Sequence, residues 1–502
     1  MLYNSDMELF LQGCDHKYAV EQMLLTLYPD ERPVYPEKPG GADRAEISLR
    51  GGRKDATAVC RLTREGQSAS GQARFALVRG AEAVDAARLE QRIVKLAFYR
   101  AALALGHGKP VWGILTGVRP AKFFTNLMER DGLSFAQAQT ALVREHGVDP
   151  DRAELCARAA SAALSARASM TERDVCLYIG IPYCPTRCAY CSFVSVDAPR
   201  MLKTIPAYLD ALEREIDAVA AAVRETGRRV ISVYMGGGTP STLSASQLDR
   251  LLGKLRAGFD LSSCREFTVE AGRPDTVTEE KMRVLLSHGV DRVSVNPQTM
   301  SDAVLAAIGR HHTAAQVAEA VETVRRIGGF ALNMDLIAGL PGDTPEDFAR
   351  TLDRILAFDP ENITVHTLAL KKGSKFLTEG ASLPDGDAVG AMLDAARSRL
   401  DVGGYHPYYL YRQKFMSGSF ENVGWTKPDF GNLYNICIME ELCTILAMGA
   451  GGSTKLVAPG GIVRRLMAPK YPKEYMERVD DTCASKERIR EFFRTYDKKE
   501  GF

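Results

Sequence analysis

Cys184, Cys188 and Cys191 stand at the spacing C-x3-C-x2-C, directly after the apolar run from Val175 to Ile181. A 4Fe–4S cluster closed entirely by protein takes one thiolate per iron, so three thiolates leave one iron open to chelate a small molecule. A tight loop after a strand lets all three sulfurs face one concavity. The spacing also admits a zinc site or three unrelated thiols. Structural zinc favours two Cys pairs or a Cys/His set, and this loop contains no His.

Further chemistry-bearing residues recur at the ends of short apolar runs. Met235-Gly236-Gly237-Gly238-Thr-Pro-Ser241 ends one run, and its glycines let backbone approach a ligand closely. Glu270, in Thr-Val-Glu270-Ala-Gly-Arg-Pro-Asp275, can accept hydrogen bonds from an ammonium or a ribose; a salt-bridged acid is the alternative. Gln298 closes Arg292-Val-Ser-Val-Asn-Pro-Gln298 and offers both a donor and an acceptor, whereas Arg292 reads as structural. Arg310 could grip a carboxylate with two parallel bonds. His311 and His312 are adjacent, so at most one faces any given site. Asp335 lies in an apolar run where an acid is costly unless paired, and a ribose diol is a fitting partner. Ala338 and Gly339 leave room for adenine, and His366 reads as a core histidine.

These residues need a scaffold that brings strand ends together. From 175 to 370 the sequence alternates strands, at 175–181, 230–235, 266–270, 292–295, 331–336 and 362–368, with helices near 204–226, 245–256, 277–288, 315–327 and 345–357. Repeated βα units imply a parallel sheet. The fold class expected is α/β, a partial (β/α)6 barrel, with a doubly wound sheet as the alternative. Either places chemistry at the carboxyl ends of the strands. Three domains are expected: an N-terminal α+β accessory domain over 1–165, the barrel over 166–375, and a C-terminal covering domain over 376–502.

In the first domain, helical spacing is read from Leu9 to Leu27, a hairpin around Gly51-Gly52, a helix from Ala83 to Leu105, and helices from Ser134 to about Met170. Arg119 and Lys122 lie in a Gly/Pro-punctuated stretch that reads as a solvated loop or a carboxylate contact. After 375 the tail carries Tyr405-His-Pro-Tyr-Tyr-Leu-Tyr-Arg412-Gln-Lys414. Aromatics interleaved with cations suit single-stranded nucleic acid, a flat macrocycle, or packing of the tail.

With a net charge of +1 the chain is nearly balanced, which argues against wholesale binding to nucleic acid or anionic membrane. The 11 cysteines show no disulfide framework. No signal peptide and no run of about 18 apolar residues is read. Reduced thiols and no export signal make a cytoplasmic protein the expectation.

In this order, the motifs resemble the radical S-adenosylmethionine (SAM) superfamily, and within it the oxygen-independent coproporphyrinogen III oxidase family. Tyr178-x-x-x-Pro182-Tyr183-Cys184, Gly236-Gly-Gly-Thr-Pro-Ser241, Glu270, Gln298, Leu-Ala-Ala-Ile-Gly-Arg310-His and Asp335-Leu-Ile-x-Gly-Leu-Pro341 carry the likeness, over roughly 173–455. The N-terminal part, Glu361–Gly373 and Tyr409–Lys414 resemble its coproporphyrinogen dehydrogenase (HemZ) branch. The resemblance implies a 4Fe–4S cluster on Cys184, Cys188 and Cys191. It implies SAM held by Gly236, Gly237, Glu270, Gln298, Arg310 and Asp335, with the Tyr190 backbone and Ala338 toward adenine and Tyr178 as support. The implied reaction is oxidative decarboxylation of two propionates of coproporphyrinogen III to vinyls by a 5′-deoxyadenosyl radical, in haem biosynthesis. The implied partners are the porphyrinogen and a reductant such as flavodoxin or ferredoxin, with the protein a monomer. Arg412, Lys414 and Arg119 are candidates for the propionates.

The chain departs from the family's pattern in two places. Phe193 stands where those proteins carry a fourth cysteine, and Gly180 where they carry a His. Related haem chaperones share the Phe but carry a His-Asn-x-x-Tyr-Trp motif. The nearest stretch here, Tyr434-Asn-Ile-Cys-Ile-Met439, lacks its His and its Tyr-Trp pair. A haem-binding protein, either a chaperone or a haem-opening methyltransferase, is the alternative reading.

Overall fold

A computed structural model describes residues 5–51, 55–76, 83–191, 196–197, 201–369, 376, 383–413 and 416–497. The sequence-stretch residues Gly52, Phe193, Lys371, Lys372, Gly373 and Lys414 lie outside this set. The chain falls into two compact units, Met1–Ala157 and Arg158–Phe502.

The first unit holds strands β1 (Ser5–Gln12), β2 (Glu31–Val34), β3 (Arg44–Gly51), β4 (Asp55–Arg64) and β5 (Gln67–Ala76), in the sheet order β2-β1-β3-β4-β5. The expected hairpin is the antiparallel pair β3–β4. The long helix spans Ala83–Ala104 and shares one core with the sheet, through Ile93, Val94, Ala97 and Phe98 against Ala58, Cys60 and Leu62. Gly71 on β5 permits this approach, because a Cβ there would lie 2.2 Å from the Ala97 carbonyl oxygen. The helical reading from Leu9 is corrected: the helix starts at Lys17 and Leu9 belongs to β1. Met7 and Leu9 are buried with period two, and β1 pairs in parallel with both β2 and β3. The region 134–170 forms two helices, Phe135–His146 and Pro150–Ala168, separated at Gly147 in the left-handed conformation.

The second unit begins with β6 (Asp174–Ile181), followed by the short pair β7 (Tyr183–Cys184) and β8 (Val196–Asp197). Then come β9 (Arg229–Gly237), β10 (Glu266–Glu270), β11 (Arg292–Ser294), β12 (Ala331–Ala338) and β13 (Asn362–Thr367). β6, β9, β10, β11, β12 and β13 are consecutive and parallel. Helices Ile205–Glu225, Ala245–Gly258, Glu279–Ser287, Ala314–Ile327 and Pro345–Ala357 link them. Their starts are set where the chain leaves a strand's carboxyl end. Ser244, Thr278, Thr313 and Thr344 each accept a first-turn backbone N–H, so each helix has its cap on the mouth side.

Residues after 376, expected as a separate covering domain, instead extend this sheet. β14 (His406–Tyr411) and β15 (Asn422–Thr426) join beyond β13, antiparallel to each other and to it. β16 (Thr444–Met448) lies parallel beside β6, followed by β17 (Ser453–Ala458) and β18 (Ile462–Met467). The result is an open sheet of 11 strands, β14-β15-β13-β12-β11-β10-β9-β6-β16-β17-β18, with no barrel closure among the described residues. The tail's aromatics pack into this fold: Tyr405, Tyr408 and Tyr409 are buried, and the Tyr405 hydroxyl donates to the Pro360 carbonyl at 2.5 Å. Among the described residues no helix is long and apolar enough to cross a membrane.

Candidate functional site

The cysteine loop starts where β6 ends, and backbone bonds fix its first turn. Gly238 N–H donates to the Ile181 carbonyl at 2.7 Å, and Thr239 N–H to the Tyr183 carbonyl at 2.7 Å. The Gly-rich stretch after β9 therefore lies against the loop's entry. Gly238 has to be a glycine, because a Cβ would sit 2.6 Å from Tyr183 O and 2.8 Å from Ile181 O. Beneath the entry, the Tyr208 hydroxyl donates to the Gly180 carbonyl at 2.6 Å.

Among the described residues Cys184, Cys188 and Cys191 form no disulfide, and all three are partly exposed. The Thr239 hydroxyl donates to Cys184 Sγ at 3.5 Å. Buried Arg273 donates to Thr186 Oγ1 at 2.9 Å, approaches Cys188 Sγ at 4.0 Å and pairs with Asp275 at 3.1 Å. Arg310 is also buried. It donates from one terminal nitrogen to the Asn296 carbonyl at 2.5 Å and from the other to the Tyr190 hydroxyl at 3.2 Å. Ala189 N–H donates to the Ile308 carbonyl at 2.9 Å. Two arginines thus tie the loop to the strand ends and place positive charge beside thiols that must ionise to bind metal.

Around this loop the other predicted residues converge. A Cβ on Gly236 would lie 2.9 Å from Glu270 Cδ, and one on Gly237 would lie 3.2 Å from the Tyr178 hydroxyl. The bare backbone there is an open cradle between an acid and a phenol. Glu270 Oε1 accepts the Tyr234 hydroxyl at 2.5 Å. Burial pushes the Glu270 carboxyl up to about 7; the Tyr234 bond opposes this and the nearby Asp335 charge adds to it. Gln298 has φ +68, trades backbone bonds with Asp335 (2.9 Å) and Ile337 (3.0 Å), and keeps a buried Oε1 without a partner. Asp335 accepts from Asn333 Nδ2 at 2.8 Å and lies 3.8 Å from His366 Nε2. Burial alone would raise its carboxyl, but His366 and Asn333 outweigh burial and hold it below the usual range. Ala338 is buried at the end of β12, where its carbonyl accepts from Leu368 N–H at 3.0 Å.

Several partners were not legible in the sequence. Tyr178, Tyr234 and Tyr434 form a stack, with Tyr234 and Tyr434 centroids 4.5 Å apart. His366 is a link rather than a plain core residue, since it faces Asp335 and lies 3.4 Å from the Tyr411 hydroxyl. Arg273 sits in a stretch the sequence had already marked by Glu270, but only the fold turns it to the loop. Of the two adjacent histidines, His311 is exposed and His312 is buried with neither ring nitrogen partnered; burial and the Arg310 and Arg273 charges push it down to about 4. Arg292 is structural: it donates to Asn362 Oδ1 and pairs with Glu266 at 3.5 Å. Arg412 is buried and donates to the Ser419 carbonyl at 2.7 Å, so it serves the fold. Arg119 lies in the other unit, at the start of the helix Pro120–Arg130.

Comparison with known proteins agrees with this geometry. Residues 178–355 match the model of the radical SAM superfamily. The oxygen-independent coproporphyrinogen-III oxidase-like protein HemZ of Bacillus subtilis is 37% identical over 375 residues, 74% of this chain and 75% of that protein. The haem chaperone HemW of Haemophilus influenzae is 30% identical over 304 residues, 60% of this chain and 75% of that protein. The solved coproporphyrinogen III oxidase HemN of Escherichia coli, a radical SAM enzyme, superposes with a TM-score of 0.51 at 25% identity, covering 64% of this chain and 72% of that one. The donor set fits the cofactors of such proteins: three cysteines in one loop, a glycine cradle that a Cβ would fill, and the orphaned Gln298 oxygen. The chain belongs to the radical SAM superfamily and, within it, to the oxygen-independent coproporphyrinogen-III oxidase-like family, which uses a 4Fe–4S cluster and SAM.

Proposed function

We propose that the protein oxidatively decarboxylates two propionates of coproporphyrinogen III to vinyl groups, giving protoporphyrinogen IX without oxygen. The observation that carries this reading is the extent of the likeness. Identity to the HemZ protein runs over 375 residues, well beyond the 178–355 segment shared across the superfamily. Similarity to chaperones covers less of this chain, 60% against 74%.

In this reading Cys184, Cys188 and Cys191 hold the cluster. Gly236, Gly237, Glu270, Gln298, Arg310, Asp335, Ala338 and the backbone of Tyr190 hold SAM, with Tyr178 supporting the cradle. When bound, these groups supply one-electron cleavage of SAM and removal of a hydrogen atom from the propionate β-carbon. The chain's own residues position and shield. Glu270 as a carboxylate, aligned by Tyr234, accepts from an ammonium lying along the Gly236–Gly237 backbone. Asp335, kept ionised by His366, accepts from a diol. Gln298 Oε1 takes a donor that the protein does not provide. Arg273 and Arg310 hold the cysteine loop and offset thiolate charge. For each propionate, carbon dioxide leaves, one hydrogen goes to the deoxyadenosyl product, and one electron passes to an external acceptor.

A haem-carrying role is the second reading, favoured by the 30% identity to HemW. The helix Leu433–Glu440 argues against it. It carries the stretch nearest to the chaperones' haem motif, yet Tyr434 is buried in the tyrosine stack and Ile436 and Cys437 are buried too. The deciding experiment is anaerobic incubation of the reconstituted, reduced protein with SAM and coproporphyrinogen III, followed by mass spectrometry. Loss of two carboxyl groups with matching deoxyadenosine supports the enzyme. SAM cleavage beside intact substrate, with stoichiometric haem binding, transfers the assignment to the carrier.

A further inference from the structure

A second cluster of cysteines lies within the fold, apart from the loop that carries Cys184. Cys176 comes from β6, Cys437 from the helix Leu433–Glu440, and Cys443 from the turn that leads into β16. Their three sulfurs lie within 4.8 Å of one another, and Cys176 Sγ is 3.6 Å from Cys443 Sγ. A fourth sulfur, Met170 Sδ, is 3.9 Å from Cys437 Sγ. Cys176 and Cys437 are fully buried and Cys443 is 6% exposed. The surroundings are Ile231, Ile445, Leu442 and Tyr434.

The pattern in sequence is Cys437-x5-Cys443, with Cys176 some 260 residues away in the chain, so spacing does not mark it. The turn that closes it is specific. Glu441 caps the helix in the left-handed conformation at φ 56, and its backbone N–H and that of Leu442 return to the Cys437 carbonyl. That reversal brings Cys443 back over Cys437, and the parallel pairing of β16 with β6 delivers it to Cys176.

Buried cysteines often pack as small apolar side chains. Here four sulfurs from two stretches of chain, 170–176 and 437–443, converge, with no imidazole or carboxylate in the thiol group. A tetrahedral metal–thiolate unit with bonds of about 2.3 Å has sulfur–sulfur edges of roughly 3.8 Å. The observed separations bracket that edge, so a mononuclear ion needs only side-chain adjustment. All-sulfur donors select soft ions. Arg265 lies within electrostatic range of Cys437 and favours its thiolate, while Asp174 acts against it.

We propose that Cys176, Cys437 and Cys443 form a binding site for one soft, closed-shell metal ion of the Zn2+ or Cu(I) class, with the Met170 thioether as a weaker fourth donor. The site joins β6 to β16 behind the Tyr178–Tyr434 stack and is independent of the reaction proposed above.

The test uses full-length protein, anaerobically reconstituted so that the cysteine loop is filled with iron. It is exposed to Zn2+ or to Cu(I), desalted, and analysed for metals and by X-ray absorption. The expected result is one zinc or copper per chain above the iron, with three or four sulfur neighbours. Cys443→Ser should lose that equivalent and keep its iron. Met170→Leu should weaken Cu(I) retention and leave Zn2+ unchanged, which separates the two ions. Iron-replete wild type without a stoichiometric soft metal overturns the proposal. So does a metal with nitrogen or oxygen neighbours, which is read on wild type alone should Cys443→Ser misfold. A Cys176–Cys443 disulfide in the anaerobic protein, seen by peptide mapping, also overturns it.

Discussion

The Tyr234 hydroxyl donates to Glu270 Oε1 at 2.5 Å, which fixes the acid that lies against the Gly236 backbone. Burial holds that carboxyl near 7, above the ordinary glutamate range. Below about 7 it is protonated, so a ligand ammonium loses a charged acceptor. SAM affinity is therefore expected to fall as pH drops from 8 to 6, by up to tenfold per pH unit below the carboxyl's pKa. Glu270→Gln should flatten the profile at the weak end. Tyr234→Phe removes a bond that stabilises the ionised form and should move the midpoint to higher pH. Anaerobic equilibrium dialysis measures all three. An unchanged midpoint in Tyr234→Phe would break the assignment.

Cys188→Ala should lose the iron–sulfur absorption and SAM cleavage together, since a cluster with two remaining thiolates is poorly held. Arg273 approaches Cys188, and Thr239 donates to Cys184. Arg273→Met should therefore lower cluster retention without removing any ligand. Iron and sulfide analysis against the circular dichroism of the fold checks both.

Gly238→Ala places a methyl 2.6 Å from Tyr183 O and 2.8 Å from Ile181 O. Both obstacles are backbone, so relief requires the loop entry to shift. The expected cost is about 1–3 kcal/mol, as for overpacking. The variant should fold with a lowered melting temperature and reconstitute less iron. Wild-type iron content and melting would contradict the close approach.

Lys486 forms a buried ion pair with Glu215 at 2.6 Å, and Glu215 also accepts from Tyr475 at 2.5 Å and from Gly449 N–H at 2.8 Å. The network anchors the C-terminal helices to the helix Ile205–Glu225 and to the end of β16. Lys486→Met leaves the Glu215 charge buried without its cation, a change that costs about 3–5 kcal/mol. Denaturant melts should show that loss, and the double change Glu215→Gln with Lys486→Met should recover part of it.

The βα core was legible because each of its signals is local. Strand β10 was read at its observed bounds, 266–270, and the helix 345–357 likewise, since a short continuous buried run and a period-3.6 pattern behind a Thr344 cap each reside in a few consecutive residues. The strand-end motifs followed, because a parallel sheet puts its loops at one edge. Leu9 was misread as helical: its neighbours Phe10 and Leu11 blur the alternation, and only pairing with β2 and β3 makes that stretch a strand.

What the sequence by itself singled out is therefore the set of groups proposed to touch a ligand: three thiols, a glycine backbone, two acids and an amide, carried on or just after successive strands. What tertiary structure decided is how those groups are held and where the late strands go. Arg273, Tyr234 and His366 take their roles from partners 31 to 87 residues away, at distances no spacing rule spans. β16 inserts beside β6 after more than 260 intervening residues, and that single pairing sets Ile445 opposite Cys176 and so brings Cys443 within 3.6 Å of it. Local chemistry is written in spacing; non-local pairing is selected by burial of whole faces, which no short stretch encodes.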